Sequence, residues 1–176
     1  MIDLNATNEW QHRDPDTGLV FPWYTKPALD EIVTWDLKDK TVFEYGCGAS
    51  TLWWAAKCES VYAVESDLQY YLAVTTELRD EQLIIQRSDK NEYINAPKTF
   101  GKFDIIIIDG DYRDACVPVA LDCLKPGGVL IFDNWMQPSV ELQTEETQKL
   151  LLGVPHKIFK QPGHPDWQTL IAWKDH

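Results

Sequence analysis

The length, composition and charge of the chain narrow the classes of protein to which it can belong. Its 176 residues, 44% of them hydrophobic and 25% charged, suffice for one domain with a sizeable core but not for two ordinary domains. The formal net charge is −12, and no cluster of Lys or Arg interrupts it. Because nucleic-acid binders need a cationic surface, we expect no nucleic-acid partner.

The N-terminal part of the chain has no regular hydrophobic period. Four residues that break regular structure interrupt it, namely Pro15, Gly18, Pro22 and Pro27. The sequence therefore predicts an irregular arm over residues 1–27 and a single domain over residues 28–176. That domain should begin with a short helix, because apolar residues recur at helical intervals at Leu29, Ile32, Val33 and Leu37.

The rest of the chain alternates apolar strands with helix-length segments. The strand-like runs are TVFEYG, SVYAVES, LIIQRSD, FDIIIIDG and GVLIFDN. Such alternation indicates βαβ units, and hence a mostly parallel, doubly wound sheet in a three-layer α/β/α fold. After a further helix, two runs, His156 to Gln161 and Gln168 to Lys174, are joined only by PGHPDW. They predict a terminal hairpin that brings the sheet to seven strands, one of them antiparallel.

The cysteines favour a reducing compartment. The four are Cys47, Cys58, Cys116 and Cys123, which form no CxxC pair. No signal peptide or long apolar run precedes them, so we expect a cytoplasmic protein without a membrane segment. Cys116 and Cys123, on one predicted helix face, are expected to be small buried residues. Trp53 and Trp54, on the first helix after the glycine turn, are expected to pack in the core.

A turn with two glycines, Gly46 and Gly48, follows the first strand. In an open parallel sheet ligands bind at the carboxyl ends of the strands, and glycine lets a ligand approach the backbone. Glu65 ends the second strand, where a carboxylate can accept hydrogen bonds from both ribose hydroxyls. A tight turn required for folding alone, with a solvated strand-end charge, is the alternative.

Two features of this turn argue against a dinucleotide. The GxGxxG fingerprint has a third glycine where this chain has Thr51, and Glu44, directly before the bend, would repel a diphosphate. A cationic amino-acid group suits that carboxylate better.

Four segments, in this order, resemble the motifs of the class I S-adenosylmethionine-dependent methyltransferases: VFEYGCGAST, VYAVESD, FDIIIIDGDYRD and LKPGGVLIFDN. The resemblance covers roughly Pro22 to the C-terminus. It implies a Rossmann-like fold that ends in an antiparallel seventh strand, with S-adenosylmethionine as the cofactor.

The resemblance also implies a set of cofactor-binding residues. They are Thr25, Glu44, Tyr45, Gly46, Gly48, Ser50, Thr51, Glu65, Ser66, Ser88, Asp89 and Asp109. Of these, Thr25 would donate to the cofactor carboxylate, and Asp89 would accept from the adenine amine. An ordinary strand-end turn remains the alternative for Ser88 and Asp89.

The resemblance further implies transfer of the sulfonium methyl group to an acceptor. Asp109, Asp133 and Asn134 resemble the magnesium ligands of catechol O-methyltransferase and its small-molecule relatives. Tyr112 stands where those enzymes usually carry a lysine. Asp109 could instead act as a base or an orienting group, without a metal. His164 is another candidate base if its turn lies at the active edge, although it could simply be part of a polar hairpin tip.

These patterns favour O-methylation of a small-molecule or sugar hydroxyl, with a homodimer as one way to complete the pocket. Trp23, Tyr24 and Trp135 are expected to wall the acceptor pocket. The alternatives are another reaction of the same cofactor, such as aminopropyl transfer or sulfonium cleavage, and a catalytically silent binding module.

Overall fold

The structure is a computed structural model that describes residues 2–6, 12–78, 82–137 and 143–175. The strands in these residues are β1 (Thr41–Tyr45), β2 (Ser60–Glu65), β3 (Gln82–Gln86), β4 (Phe103–Ile108), β5 (Leu124–Phe132), β6 (His156–Gln161) and β7 (His164–Trp173). The helices are α1 (Lys26–Ile32), α2 (Ala49–Lys57), α3 (Leu68–Thr75), α4 (Lys90–Asn95), α5 (Arg113–Cys123) and α6 (Glu145–Leu152), with a 3-10 helix at Ala96–Thr99.

The strands form one sheet in the order β3-β2-β1-β4-β5-β7-β6. Strands β1 to β5 are parallel to one another, and β7 is antiparallel to both of its neighbours, β5 and β6. The strand order reverses between β1 and β4, which is where ligands bind in open α/β sheets. This arrangement confirms the predicted Rossmann-like, mostly parallel seven-stranded sheet with an antiparallel C-terminal strand.

Both faces of the sheet are covered, as the continuous apolar run in β4 predicts. Ile106 and Ile108 pack with the cluster that includes residues of α4, α5 and α6, whereas Ile105 and Ile107 pack with residues of α1 and α2. Side chains alternate between the two faces of a strand, so one apolar run supplies two cores. The predicted core residues Trp53, Trp54, Cys116 and Cys123 are all buried.

The N-terminal arm is held against α2 through a buried carboxylate. Asp14 accepts a hydrogen bond of 2.7 Å from Trp53 Nε1 and lies 3.0 Å from Lys57 Nζ. Helix α1 is shorter than predicted, since it ends at Ile32 and leaves Val33 exposed. Beyond it, turn hydrogen bonds from the backbone of residues 34 and 35 replace the helical pattern.

The C-terminal hairpin is tighter than predicted. Strand β7 begins at His164 rather than Gln168, so only Pro162 and Gly163 separate it from β6. The positive φ of Gly163 permits this two-residue turn. Because β5 and β6 are both antiparallel to β7, they run the same way, and the turn lies at the same edge of the sheet as the carboxyl ends of β1, β2, β4 and β5. No helix in the described residues is long and apolar enough to cross a membrane.

Candidate active site

A cavity of about 660 Å³ opens at the carboxyl ends of β1, β2 and β4. Its walls come from the turns that follow these three strands, together with Trp23 and four residues close to the N-terminus, Ile2, Asp3, Leu4 and Ala6. Volumes of this size are typical of small-molecule sites. The cavity therefore lies where the sequence places a ligand, and part of the arm closes over it.

Two glycines bring the turns after β1 and β4 into backbone contact. Gly46 has φ +90°, and a Cβ there would lie 2.9 Å from Gly110 Cα. A Cβ on Gly110 would lie 2.6 Å from Gly46 N. Packing of the two turns thus requires glycine at both positions. Gly110 was missed in the sequence, where the segment IDGD was the signal for it.

At Gly48, in contrast, neither the backbone conformation nor the protein packing excludes a side chain. Its φ of 178° is open to any residue, and a Cβ there would meet no protein atom within 4 Å among the described residues. Gly48 lines the cavity. Since neither the backbone nor the packing requires glycine, the open space it leaves is available to a ligand.

Glu44 is buried beneath the glycine turn. Its carboxylate oxygens accept hydrogen bonds from Ser50 Oγ, at 2.6 Å, and from Thr51 Oγ1. Burial raises the pKa of Glu44 to about 8, with further contributions from the charges of Asp109 and Glu65. The hydroxyls of Ser50 and Thr51, predicted to contact the cofactor, therefore fasten Glu44 to the start of α2.

Glu65 joins the turns after β1 and β2. One carboxylate oxygen accepts a 2.8 Å hydrogen bond from Cys47 N, and the other accepts a 2.8 Å hydrogen bond from Asp67 N. A carboxylate has about four acceptor positions, so both oxygens retain capacity for a ligand hydroxyl. This geometry suits the predicted ribose contact.

The predicted adenine-side residues, Ser88 and Asp89, follow the end of β3. Asp89 caps α4, because its Oδ1 accepts hydrogen bonds from the backbone N–H groups of residues 91 and 92. Ser88 is exposed, and neither residue is among those that line the cavity. Ser66 does line it, and its Oγ donates to Asp111 Oδ2 at 2.5 Å, which connects the turns after β2 and β4.

Thr25 and Tyr45 differ in what they offer a ligand. Tyr45 is buried and its hydroxyl donates to Ile94 O at 2.8 Å, so its side chain belongs to the core rather than to the cofactor site. Thr25 is also buried, but its Oγ1 has no hydrogen-bond partner within the described part of the chain. A buried hydroxyl without a partner costs free energy, so a ligand group that bonded to it would remove that cost.

The carboxyl ends of β4 and β5 are joined by Arg113, which the sequence did not single out. Its side chain, about a tenth exposed, bonds to Asp109 Oδ1 and Asn134 Oδ1, each at 3.0 Å, and to three backbone carbonyls. Asp133 accepts a 2.7 Å hydrogen bond from Thr169 Oγ1. Burial raises the pKa of Asp109, and it raises the pKa of Asp133 further, with the charge of Asp109 adding to the effect.

The predicted magnesium ligands do not fit a metal ion. A guanidinium cation already binds one carboxylate oxygen of Asp109, Oδ1, and the amide oxygen of Asn134. Within the described ranges, no group of three or more His, Cys, Asp or Glu side chains could hold a metal. The likeness to catechol O-methyltransferase at Asp109, Asp133 and Asn134 therefore does not extend to its metal.

The other two catalytic candidates lie away from the cavity wall. Tyr112 has φ +51°, and its ring packs edge-to-face on Tyr93 with Lys90 Nζ 5.2 Å from its centroid. His164 is exposed at the start of β7, on the predicted edge. Trp135, expected in the acceptor wall, is instead buried against Phe132.

The charged side chains that line the cavity are all acidic. Its lining carboxyl groups are Asp3, Glu44, Glu65, Asp67, Asp109 and Asp111. The raised pKa of Glu44, about 8, leaves that group largely protonated at neutral pH, so the negative charge comes from the other five. None of the described residues that line the cavity is Lys, Arg or His. Like charges in a recessed site create a potential that attracts a cation and repels a phosphate.

Comparison with known proteins shows which solved structures share this fold. No protein-family model and no curated protein matches the chain. Solved structures do match, among them the 16S rRNA N2 G1207 methyltransferase RsmC of T. thermophilus in complex with S-adenosylmethionine and guanosine, at TM-score 0.65 and 21% identity. That match covers 94% of this chain and 50% of RsmC, so the chain spans half the length of that protein.

Two further structures are similar over most of both chains. NodS, an N-methyltransferase of Bradyrhizobium japonicum solved with S-adenosylhomocysteine, matches at TM-score 0.60 and 15% identity, over 85% of this chain and 86% of NodS. A precorrin 8W decarboxylase of Methanobacterium thermoautotrophicum matches at TM-score 0.60 and 16% identity, over 94% and 96% of the two chains. The chain has the fold of the class I methyltransferases. The comparisons give no support to a likeness to catechol O-methyltransferase.

Proposed function

We propose that the chain is an S-adenosylmethionine-dependent methyltransferase that methylates a hydroxyl group of a small molecule. The observation that carries this proposal is the wholly acidic cavity beside the two glycine turns. S-adenosylmethionine presents a sulfonium and an ammonium group, and both are favoured by carboxylates in a recessed site. A dinucleotide would place its pyrophosphate among the same carboxylates and be repelled.

The predicted cofactor-binding residues fit the parts of this cofactor, although Thr25, Ser88 and Asp89 are not among the residues that line the cavity. Thr25 has a buried hydroxyl without a partner in the described residues, which can donate to the cofactor carboxylate. Gly48 leaves open space at the turn, and Glu65 has acceptor positions for the ribose hydroxyls. Ser88 and Asp89 would contact the adenine, with Asp89 Oδ2 accepting from its amine while Oδ1 caps α4.

The cofactor supplies an activated methyl group, so the chain has mainly to orient the acceptor and receive its proton. When bound, the cofactor would supply its sulfonium methyl group to the acceptor oxygen and would leave as S-adenosylhomocysteine, with the chain holding it through Glu65 and the glycine turn. Asp109 is the best-placed base, because it lines the cavity and burial raises its pKa. His164 and Tyr112 are the alternatives for this role.

Charge also restricts the acceptor. RsmC and NodS are named for methylation of rRNA and of nitrogen, so the fold alone does not select the acceptor. A chain of net charge −12 with an acidic cavity would repel RNA and phosphorylated metabolites. A neutral polyol, sugar or phenol is therefore the acceptor class that we propose.

The test is the release of S-adenosylhomocysteine from S-adenosylmethionine in the presence of separate acceptor panels. Neutral hydroxyl compounds should support turnover, while matched sugar phosphates and an rRNA fragment should not. The variant Glu65→Ala should lose turnover with every acceptor, which excludes a contaminating enzyme. Turnover with the RNA fragment alone, or with amines alone, would contradict the proposed acceptor class but leave the cofactor assignment intact.

A further inference from the structure

Every N–H group of the Arg113 guanidinium, at the edge of the candidate site, donates a hydrogen bond within the chain. A guanidinium has five N–H groups. Here Nε donates to Gly110 O at 2.9 Å, one terminal nitrogen donates to Asp133 O and Asn134 Oδ1, and the other donates to Asp109 O and Oδ1. These five contacts, of 2.8 to 3.0 Å, match the five donors.

The partners of Arg113 come from two different turns. Asp109 and Gly110 follow β4, whereas Asp133 and Asn134 follow β5. Asn134 has φ +51°, a conformation that few side chains adopt readily, and its carboxamide also donates to Gln137 Oε1 at 2.9 Å. The guanidinium thus fixes the relative position of both turns, including the carboxylate of Asp109 that faces the cavity.

We propose that Arg113 is a positioning residue that takes the place of a metal ion at this edge and holds Asp109 and Asn134 for catalysis without one. A divalent ion there would compete with the guanidinium for Asp109 Oδ1 and Asn134 Oδ1, and it would be repelled by the guanidinium charge. All five donors are used within the chain, so Arg113 has none left for a substrate. Its effect on the reaction is exerted through Asp109. Only this catalytic consequence depends on the proposed function, whereas the exclusion of metal does not.

The first experiment uses the wild-type chain, with Mg²⁺ and a chelator as the probes. Thermal melting in 10 mM MgCl₂ and in excess EDTA should give midpoints within about 1 °C of each other, since a ligand that does not bind the folded state does not stabilise it. The affinity for S-adenosylhomocysteine should also be the same in both buffers, within about twofold. A Mg²⁺-dependent rise of the midpoint that Asn134→Gly abolishes would overturn the proposal. Glycine suits the positive φ of residue 134, so this variant removes the side chain without adding strain.

The second experiment removes the guanidinium. Arg113→Ala should melt lower, and Mg²⁺ should raise its melting midpoint by about 3 °C or more, because Asp109 and Asn134 are then free to bind a cation. Arg113→Lys keeps a charge there and should show no response to Mg²⁺. The control is Arg87→Ala, at a partly exposed arginine that pairs with Glu92, which should behave as wild type.

A purely structural arginine would lower the melting midpoint without creating a response to Mg²⁺, so absence of that response in Arg113→Ala would count against the proposal. If Arg113→Ala does not fold, the wild-type titration still decides the question. Failure of the wild-type chain to bind S-adenosylhomocysteine would reject the proposed function, whereas the metal measurements would be interpretable by themselves.

Discussion

The carboxylates in the two halves of the candidate site, at the ends of β1 and β2 and at the ends of β4 and β5, accept hydrogen bonds from different kinds of donor. In the β1–β2 half, Glu44 and Glu65 accept hydrogen bonds from hydroxyl and backbone N–H groups within the half. In the β4–β5 half, Asp109 is bound by the guanidinium of Arg113. The first half carries the negative charge of Glu65 into an open cavity, while the second holds a cation of its own.

This difference suits one half to binding a ligand and the other to holding side chains in place. Neutral donors leave a carboxylate site able to attract a cationic ligand, which suits the half that would hold S-adenosylmethionine. An internal cation removes that attraction but fixes the geometry, since five hydrogen bonds restrain two turns at once. We infer that the β1–β2 half selects the cofactor and that the β4–β5 half orients the chemistry.

The largest expected effect separates the two glycines of the β1–β2 half. Gly46→Ala should cost more than about 3 kcal/mol of unfolding free energy, because it combines a positive φ with a backbone clash against Gly110. Gly48→Ala should change stability by less than about 0.5 kcal/mol but weaken cofactor binding. Urea unfolding and calorimetric titration of both variants measure the pair. Equal loss of stability would show that Gly48 also has a packing role.

The next effect concerns pH and the buried Glu44. Burial raises its pKa in the folded chain to about 8 from an ordinary 4.5, so the folded state keeps a proton that the unfolded state releases between these values. Its contribution to stability is complete below pH 4.5 and is lost as the pH rises toward 8. Glu44→Gln should reduce the fall in unfolding free energy between pH 5 and pH 8.5 by about 2–4 kcal/mol.

Urea unfolding of wild type and Glu44→Gln at four pH values across this range measures that contribution. Asp109 and Glu65 are present in both proteins, so the difference between the two curves reports the titration of residue 44. Parallel curves would show that Glu44 is charged in the folded state at neutral pH.

A smaller effect tests the ribose contact. Glu65→Ala should weaken binding of S-adenosylhomocysteine by about 10- to 100-fold, equivalent to 1.4–2.8 kcal/mol, because charge-assisted hydrogen bonds to the ligand are lost. Glu65→Gln keeps the shape but accepts less, and should lie between wild type and the alanine variant. Calorimetry gives the affinities, and circular dichroism checks that the turn after β1 is intact. An unchanged affinity in Glu65→Ala would remove the ribose assignment.

The smallest effect on stability is expected at His164. Its side chain is exposed at the start of β7, so His164→Ala should change the unfolding free energy by less than about 0.5 kcal/mol and leave cofactor affinity unchanged. The same variant separates the candidate bases. Retained turnover favours Asp109, whereas loss of turnover with intact cofactor binding assigns the role to His164.

The features that the sequence predicted correctly depend on interactions between residues that are close together along the chain. The turn around Gly46, the strand-end position of Glu65 and the alternation of strands and helices depend on neighbouring residues, and the sequence predicted them. The terminal hairpin was placed correctly except for its turn, because the pairing of His164 with Gln161 extends a strand through a proline-containing segment.

Long-range contacts account for what was missed. Gly110 matters because Gly46 packs on it from another strand, 64 positions earlier in the chain. Arg113 looked like any first-turn helix residue, and only the folded chain brings Asn134 to it. Without that contact, Asp109 and Asn134 suggested a metal site. Spacing along the chain does not show which side chain fills the space between two strand ends.

The most direct test of the proposed cofactor is calorimetric titration of the wild-type chain with S-adenosylmethionine, S-adenosylhomocysteine and NAD in parallel. We predict binding of the first two and none of NAD, with affinity for S-adenosylmethionine weakened in Gly48→Ala. Binding of NAD alone, or of none of the three, would contradict the assignment of the acidic cavity to a sulfonium cofactor.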